Sequence, residues 1–172
     1  IENPDERAAP LLSAIATING TQRMALLRLL GRTGSPRALA ALREELKNGA
    51  PEMHDATVRA LSEWPDAAVI RDLLAIARED QSETNKVLAL RGYVRVVALP
   101  SDRRPFDTAK MLGDALKLAP PAEKKSILGA LGAVNDVEAL HLAAPLMDEE
   151  DVRNEAITAT LRIARAVAGT VP

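Results

Sequence analysis

Residues 24–42 read MALLRLLGRTGSPRALAAL, and residues 55–73 read DATVRALSEWPDAAVIRDL. The wording differs, yet the apolar residues fall at the same offsets and a turn interrupts both stretches at the same place. With Leu30 as anchor, the pattern returns at Leu61, Tyr93, Leu131 and Leu161, and positions 30, 61, 93, 131 and 161 step by 31, 32, 38 and 30 residues. Leu27, Val58, Leu90 and Leu128 stand one turn before the first four anchors, and Thr158 is a poor match before the fifth. Nine residues after three of the anchors come Leu39, Ile70 and Leu140. Leu42, Leu73 and Ala143 follow, then Leu46, Ala77 and Met147. Spacings of i, i+3 and i+7 put these residues in one stripe on a helix.

The turn supports the alignment independently. Ser35, Asp66 and Asp136 share one column immediately before each second helix, and their side-chain oxygens suit the free N–H groups of a first helical turn. Pro36 follows Ser35 at the first helical position, where its missing N–H costs nothing. A helix–turn–helix unit of this length cannot cover its own apolar face and must stack on a neighbour. The reading is therefore all-α, an α-solenoid of about four to five stacked antiparallel helix pairs. Its units run over about 21–50, 51–81, 82–120, 121–150 and 151–167, within a single repeat domain spanning 1–172.

In detail, a first helix is expected over 5–18, closed by Asn19-Gly20 as a C-terminal cap. Helix pairs follow over 21–32 with 36–47, 52–63 with 67–79, 83–98 with 105–118, and 122–133 with 137–147, and a last helix covers 151–167. The extra residues of the longest step lie at ALPSDRRPFD, which predicts a longer loop between two prolines. Pro145 removes the N–H that would bond the His141 carbonyl and predicts a kink there.

Composition narrows the class. Apolar residues make up 47% of the 172, but the aromatic residues are Trp64, Tyr93 and Phe106 alone, so a core of Leu, Ala, Ile and Val is implied. A net charge of −2 argues against a general polyanion binder. The absence of cysteine removes disulfides, thiolate metal sites and cysteine nucleophiles. No run approaches the length of a membrane-spanning helix. The chain begins at Ile1 without methionine, which predicts a processed product or a fragment of a larger protein and leaves the compartment open.

LLRLLGRTGSPRALAAL and ILGALGAVNDVEALHLA resemble the bacterial HEAT-like repeat, also called the phycobilisome-lyase-type HEAT repeat. LALRGYVRVVALPSDRRP is similar to HEAT modules within larger bacterial proteins, often exported ones. The resemblance covers about residues 21–167 and rests on packing and capping positions. It implies an armadillo-type superhelix that binds protein as a scaffold, and it carries over no catalytic residue, metal ligand or cofactor.

The chemistry-bearing residues mostly have plain structural readings. His54 and His141 have no second histidine or cysteine at i+3 or i+4 and read as helix-surface histidines. MDEEDVRNE lacks calcium-loop spacing and reads as an acidic entry to the last helix, where negative charge suits the dipole. GRTG at 31–34 joins two helices and is a turn; phosphate-loop and nucleophile-elbow signatures are absent. Trp64 and Tyr93 fall in core columns. Arg91, Arg95, Arg103, Arg104 and Lys110 form a basic stretch suited to an acidic partner, with Asp102 and Asp107 as local alternatives. The second helices should expose Arg43, Glu44, Lys47, Arg71, Arg78, Asp114 and Lys117.

Three function classes follow. The first is a non-catalytic scaffold that binds a protein, a peptide or a neighbouring domain of the same chain on a concave helical face. The second is a nucleic-acid-binding HEAT module, which the net charge and the scarcity of stacking rings oppose. The third is a lyase- or hydrolase-associated domain, for which no acid–base constellation is evident.

Overall fold

The computed structural model describes residues 3–169. Ile1, where the sequence opens, and the last three residues of the ARAVAGTVP end lie outside them. The described residues are helical, with turns between helices and no strand among them. The chain divides into two compact units between Val96 and Val97.

Unit 1 holds α1 (Pro4–Ile15), α2 (Gly20–Leu30), α3 (Pro36–Asn48), α4 (Pro51–Ser62), α5 (Ile70–Glu79) and all but the last residue of α6 (Glu83–Val97). Proline opens α1, α3 and α4, pre-setting φ where no N–H is needed. Ser35 Oγ accepts from the Ala38 amide at 3.2 Å, and Asp66 Oδ1 accepts from Ala68 at 2.8 Å. The caps read from the sequence are thus in place. Helix α1 packs on α2 and α3, and α4 packs on α2, α3 and α5. Leu27, Leu30, Val58 and Leu61 are buried at the α2–α4 crossing, each worth about 1.5–3 kcal/mol by removal from water. Gly31 makes that approach possible, since a Cβ there would stand 2.4 Å from the Ala60 carbonyl oxygen.

Unit 2 holds α7 (Pro105–Leu118), α8 (Pro121–Leu131), α9 (Val137–Ala143) and α10 (Arg153–Ala168). Helix α7 packs on α8 and α9, and α10 packs on α8 and α9. Asp136 Oδ1 caps α9 by accepting from Glu138 at 2.8 Å. At Pro145 the helix tightens into a 3-10 segment, Ala144–Asp148, in place of the simple kink. The loop at 98–104 is the long connection that the sequence suggested.

Two expectations need correction. Helix α1 stops at Ile15, because the Thr17 hydroxyl and the Thr17 and Ile18 amides all turn back onto the Ala14 carbonyl. Asn19 then precedes α2, and Gly20, at φ +62°, is its left-handed first residue rather than the cap of α1. The second correction concerns the last anchor. Leu161 is 52% exposed, whereas Ala156, Ala159 and Ile163 are the buried residues of α10. Ile163 is therefore the anchor and the last step is 163 − 131 = 32 residues, although Thr160, again a threonine, stands one turn before it.

No helix among the described residues is long and apolar enough to cross a membrane.

Candidate functional site

The second-helix cations of unit 1 sit as exposed side chains on α3 and α5. Arg43 joins the two helices: its guanidinium donates to Asp72 at 2.8–3.2 Å and to the Ala68 carbonyl at 3.1 Å. The hydrogen-bonded Asp72 carboxylate raises the pKa of Arg43 further. Lys47, Arg71 and Arg78 make no ion pair among the described residues, and the exposed carboxylates of Glu44 and Glu79 stand on the same two helices. Glu44 accepts from Asn48.

The basic stretch read at 91–110 divides between the two units, and its side chains are engaged differently within each. In unit 1, Arg91 is exposed and engaged by another group. Arg95 Nη2 donates to the Ser62 carbonyl at 3.1 Å and to the Trp64 carbonyl at 2.5 Å, closing the last turn of α4. In unit 2, Arg104 forms a two-pronged pair with Asp107 at 2.8 and 2.9 Å, which lowers the pKa of that carboxyl. Lys110 lies over the Phe106 ring at 5.4 Å, and Lys117 pairs with Asp114 at 2.9 Å. Arg103 turns inward instead, its Nη2 donating to the Val97 carbonyl at 2.6 Å.

A polar cluster in unit 1 went unread in the sequence. His54 Nε2 lies 2.6 Å from Asp80 Oδ2, and Asp80 Oδ1 accepts from the Ser82 amide at 2.8 Å and from Asn85 at 3.3 Å. Asn85, itself buried, also donates to Asp55 at 2.8 Å. Burial pushes the Asp80 carboxyl upward. The hydrogen bonds from His54, Ser82 and Asn85, with the charge of His54, outweigh it and hold the carboxyl below its ordinary range. The pair places an acid behind an imidazole, as base-and-orienter pairs do, but no hydroxyl among the described residues bonds to the ring. Its evident work is to tie α4 to the turn before α6. The readable signal was spacing, because His54 and Asp80 are 26 residues apart and Asp55 and Asn85 are 30 apart.

His141 is exposed on α9. The acidic stretch divides: Glu149 pairs with Lys124 at 2.6 Å, and Glu155 with Lys125 at 3.2 Å. Glu155 is held below its ordinary range by its own backbone amide first and by Lys125 second. No group of three His, Cys, Asp or Glu side chains that could hold a metal occurs among the described residues. Trp64 and Tyr93 are both buried, as their columns predicted, and the indole N–H donates to Asp66 at 3.1 Å.

Compared with protein-family models, with curated proteins and with solved structures, the chain finds no match.

Proposed function

We propose that the chain is a HEAT-like helical-repeat module that binds an acidic segment of a polypeptide on the exposed faces of α3 and α5. The observation that carries the repeat reading is a set of polar links spanning about one repeat. Ser35 with Asp5 and Asp55 with Asn85 are 30 residues apart, Arg32 with Glu63 is 31, Arg43 with Asp72 is 29, and Lys125 with Glu155 is 30. Such links arise where each pair of helices lies against the next, as in a solenoid. Packing of α2 on α4 and of α8 on α10, each next but one in the chain, supports the same arrangement.

The binding reading rests on charge. Lys47, Arg71 and Arg78 are exposed, make no ion pair among the described residues and are carried on helices joined by the Arg43–Asp72 link. Rigid helices presenting guanidinium groups suit carboxylates, which arginine engages through two parallel N–H donors. An overall charge of −2 does not suit a polyanion, so a polypeptide is preferred to nucleic acid.

The test is selection of displayed peptides against the full chain, followed by affinity measurement with Arg71→Glu and Arg78→Glu together. Acidic peptides should be selected, and the double reversal should weaken them by about tenfold or more, equivalent to roughly 1.4 kcal/mol. Peptides indifferent to the reversal would overturn the assignment of this face. An oligonucleotide that binds more tightly than any peptide, with steep salt dependence, would favour the nucleic-acid reading.

A further inference from the structure

We propose that unit 2 carries a binding pocket for a small aliphatic carboxylate, with Arg103 as its anion anchor. The pocket is an open cleft of about 280 Å³ lined by the 98–104 loop, the start of α7 and the end of α8. Leu99, Leu112, Ala130 and Val134 contribute apolar wall, and Arg103 and Asn135 contribute polar groups.

The state of Arg103 is what points to an anion. A guanidinium offers five N–H donors and no acceptor, and it stays charged. Arg103 is half-buried and makes one hydrogen bond to protein, Nη2 to the Val97 carbonyl at 2.6 Å. Its Nε is buried with no partner, and no carboxylate among the described residues pairs with Arg103, Asp107 being taken by Arg104. A partly desolvated cation with an unsatisfied buried donor is costly. The buried Nε is closed to a ligand, but an anion at the Nη groups, which are not among the buried unpartnered atoms, offsets that cost through the charge of the guanidinium. The Val97 bond fixes the plane of the fork, so less side-chain freedom is lost when a ligand arrives.

The remaining wall fixes the rest of the ligand. Apolar side chains with a few convergent polar groups are the usual lining of a small-molecule site. A carboxylate on a short branched hydrocarbon matches one cation against an aliphatic wall. A phosphate or a dicarboxylate would leave charge unpaired there. Such a carboxylate has two sources, a free short-chain acid or the C-terminus of a polypeptide ending in Val, Leu or Ile. The pocket lies in unit 2, whereas the proposed peptide face lies in unit 1, so each assignment can fail alone.

The experiment is titration of the full chain with 3-methylbutanoate, followed by backbone amide chemical shifts at residues 98–104 and 130–135. The neutral 3-methylbutanamide, N-acetyl-glycyl-leucine and its C-terminal amide serve as comparisons. Saturable shifts in the millimolar range are expected for the two acids, with at least about tenfold weaker binding for the two amides. Arg103→Gln should lose the acids by a similar factor, and Arg103→Lys should recover part of the loss. Ala130→Leu, a helix-compatible change that fills the cleft, should block both acids while Arg103 stays intact. A tighter acetylated dipeptide assigns the source to a polypeptide C-terminus, and a tighter free acid assigns it to a metabolite. No saturable shift for either acid, or equal binding of acid and amide, would overturn the proposal. So would acid binding that survives Arg103→Gln in a variant whose helical content and melting temperature match the parent.

Discussion

The turn at Trp64-Pro65-Asp66 in unit 1 and the turn at Val134-Asn135-Asp136 in unit 2 lie 70 positions apart and share a backbone bond and a cap, although the Asp136 amide also donates to the Val134 carbonyl at 3.0 Å. The Trp64 amide donates to the Leu61 carbonyl at 3.1 Å, and the Val134 amide donates to Leu131 at 2.9 Å. Asp66 and Asp136 cap the following helical segments with bonds of equal length, 2.8 Å. The difference is what fills the space behind the cap. In unit 1 an indole is buried there, bonded to Asp66, and Arg95 binds the carbonyls of Ser62 and Trp64. In unit 2 the corresponding residue is a valine that lines an open cleft. Anchor and cap are what the local geometry demands; the residue beside them decides whether a turn is solid or hollow.

The harshest way to break this comparison is Trp64→Ala. Removing a buried indole costs about 3–5 kcal/mol through lost burial and an unfilled cavity, and it also strips Asp66 of a donor. The loss should appear as a lower denaturant midpoint by circular dichroism, since the change removes the chain's single tryptophan fluorophore. A loss below about 1 kcal/mol would mean that the turn does not depend on its filling, and the contrast between the units would lose its basis.

The same offset of 70 sharpens the register of the last helix. Leu61 corresponds to Leu131 on that offset, and Tyr93 corresponds to Ile163, one of the three residues buried in α10. Ile163→Ala should cost about 2–5 kcal/mol. Leu161→Lys, at the position first read as the anchor, should stay within about 0.5 kcal/mol. Paired thermal melts of the two variants decide the matter, and the reverse order would restore Leu161. The misreading has a physical origin. Leu161 has the residue type of an anchor, but α10 follows a 3-10 turn at Glu150–Val152, and that shifts which face meets α8.

Much of the helical order was legible because the caps and apolar stripes are local signals. Ser35, Asp66 and Asp136 announce their helices within three residues, and Leu30 and Leu61 announce their faces within two turns. The polar links were not legible from local windows. His54 looked like an ordinary surface histidine because Asp80 is 26 residues away, and Arg95 looked like a free cation because Trp64 is 31 residues away. Each partner lies about one repeat off, so a search along the repeat offset would have found them. Arg103 was harder still. Its inward turn depends on the path of the 98–104 loop, which has no counterpart in the shorter steps.

One further pair of links separates the units. Asp55–Asn85 and Lys125–Glu155 are the same positions shifted by 70, and His54–Asp80 matches Lys124–Glu149 to within one residue. In unit 2 these are lysine–carboxylate pairs of the kind that contributes little. In unit 1 they are a hydrogen-bonded cluster around Asp80, whose side chain is 5% exposed. Because the folded cluster holds Asp80 below its ordinary value of 3.8, its contribution is present above that value and fades as pH falls through the lower folded value. Asp80→Asn should therefore flatten the stability–pH curve on the acid side, and Glu149→Gln should leave it closer to the parent. This is the smallest of the expected effects, read as the difference between denaturant midpoints at neutral and acid pH. Other carboxylates titrate in the same range, but they do so equally in both variants, so the difference between curves isolates each link. Identical slopes for the two variants would mean that burial around Asp80 does not distinguish the two units. Their matching links would then be equivalent in strength as well as in place.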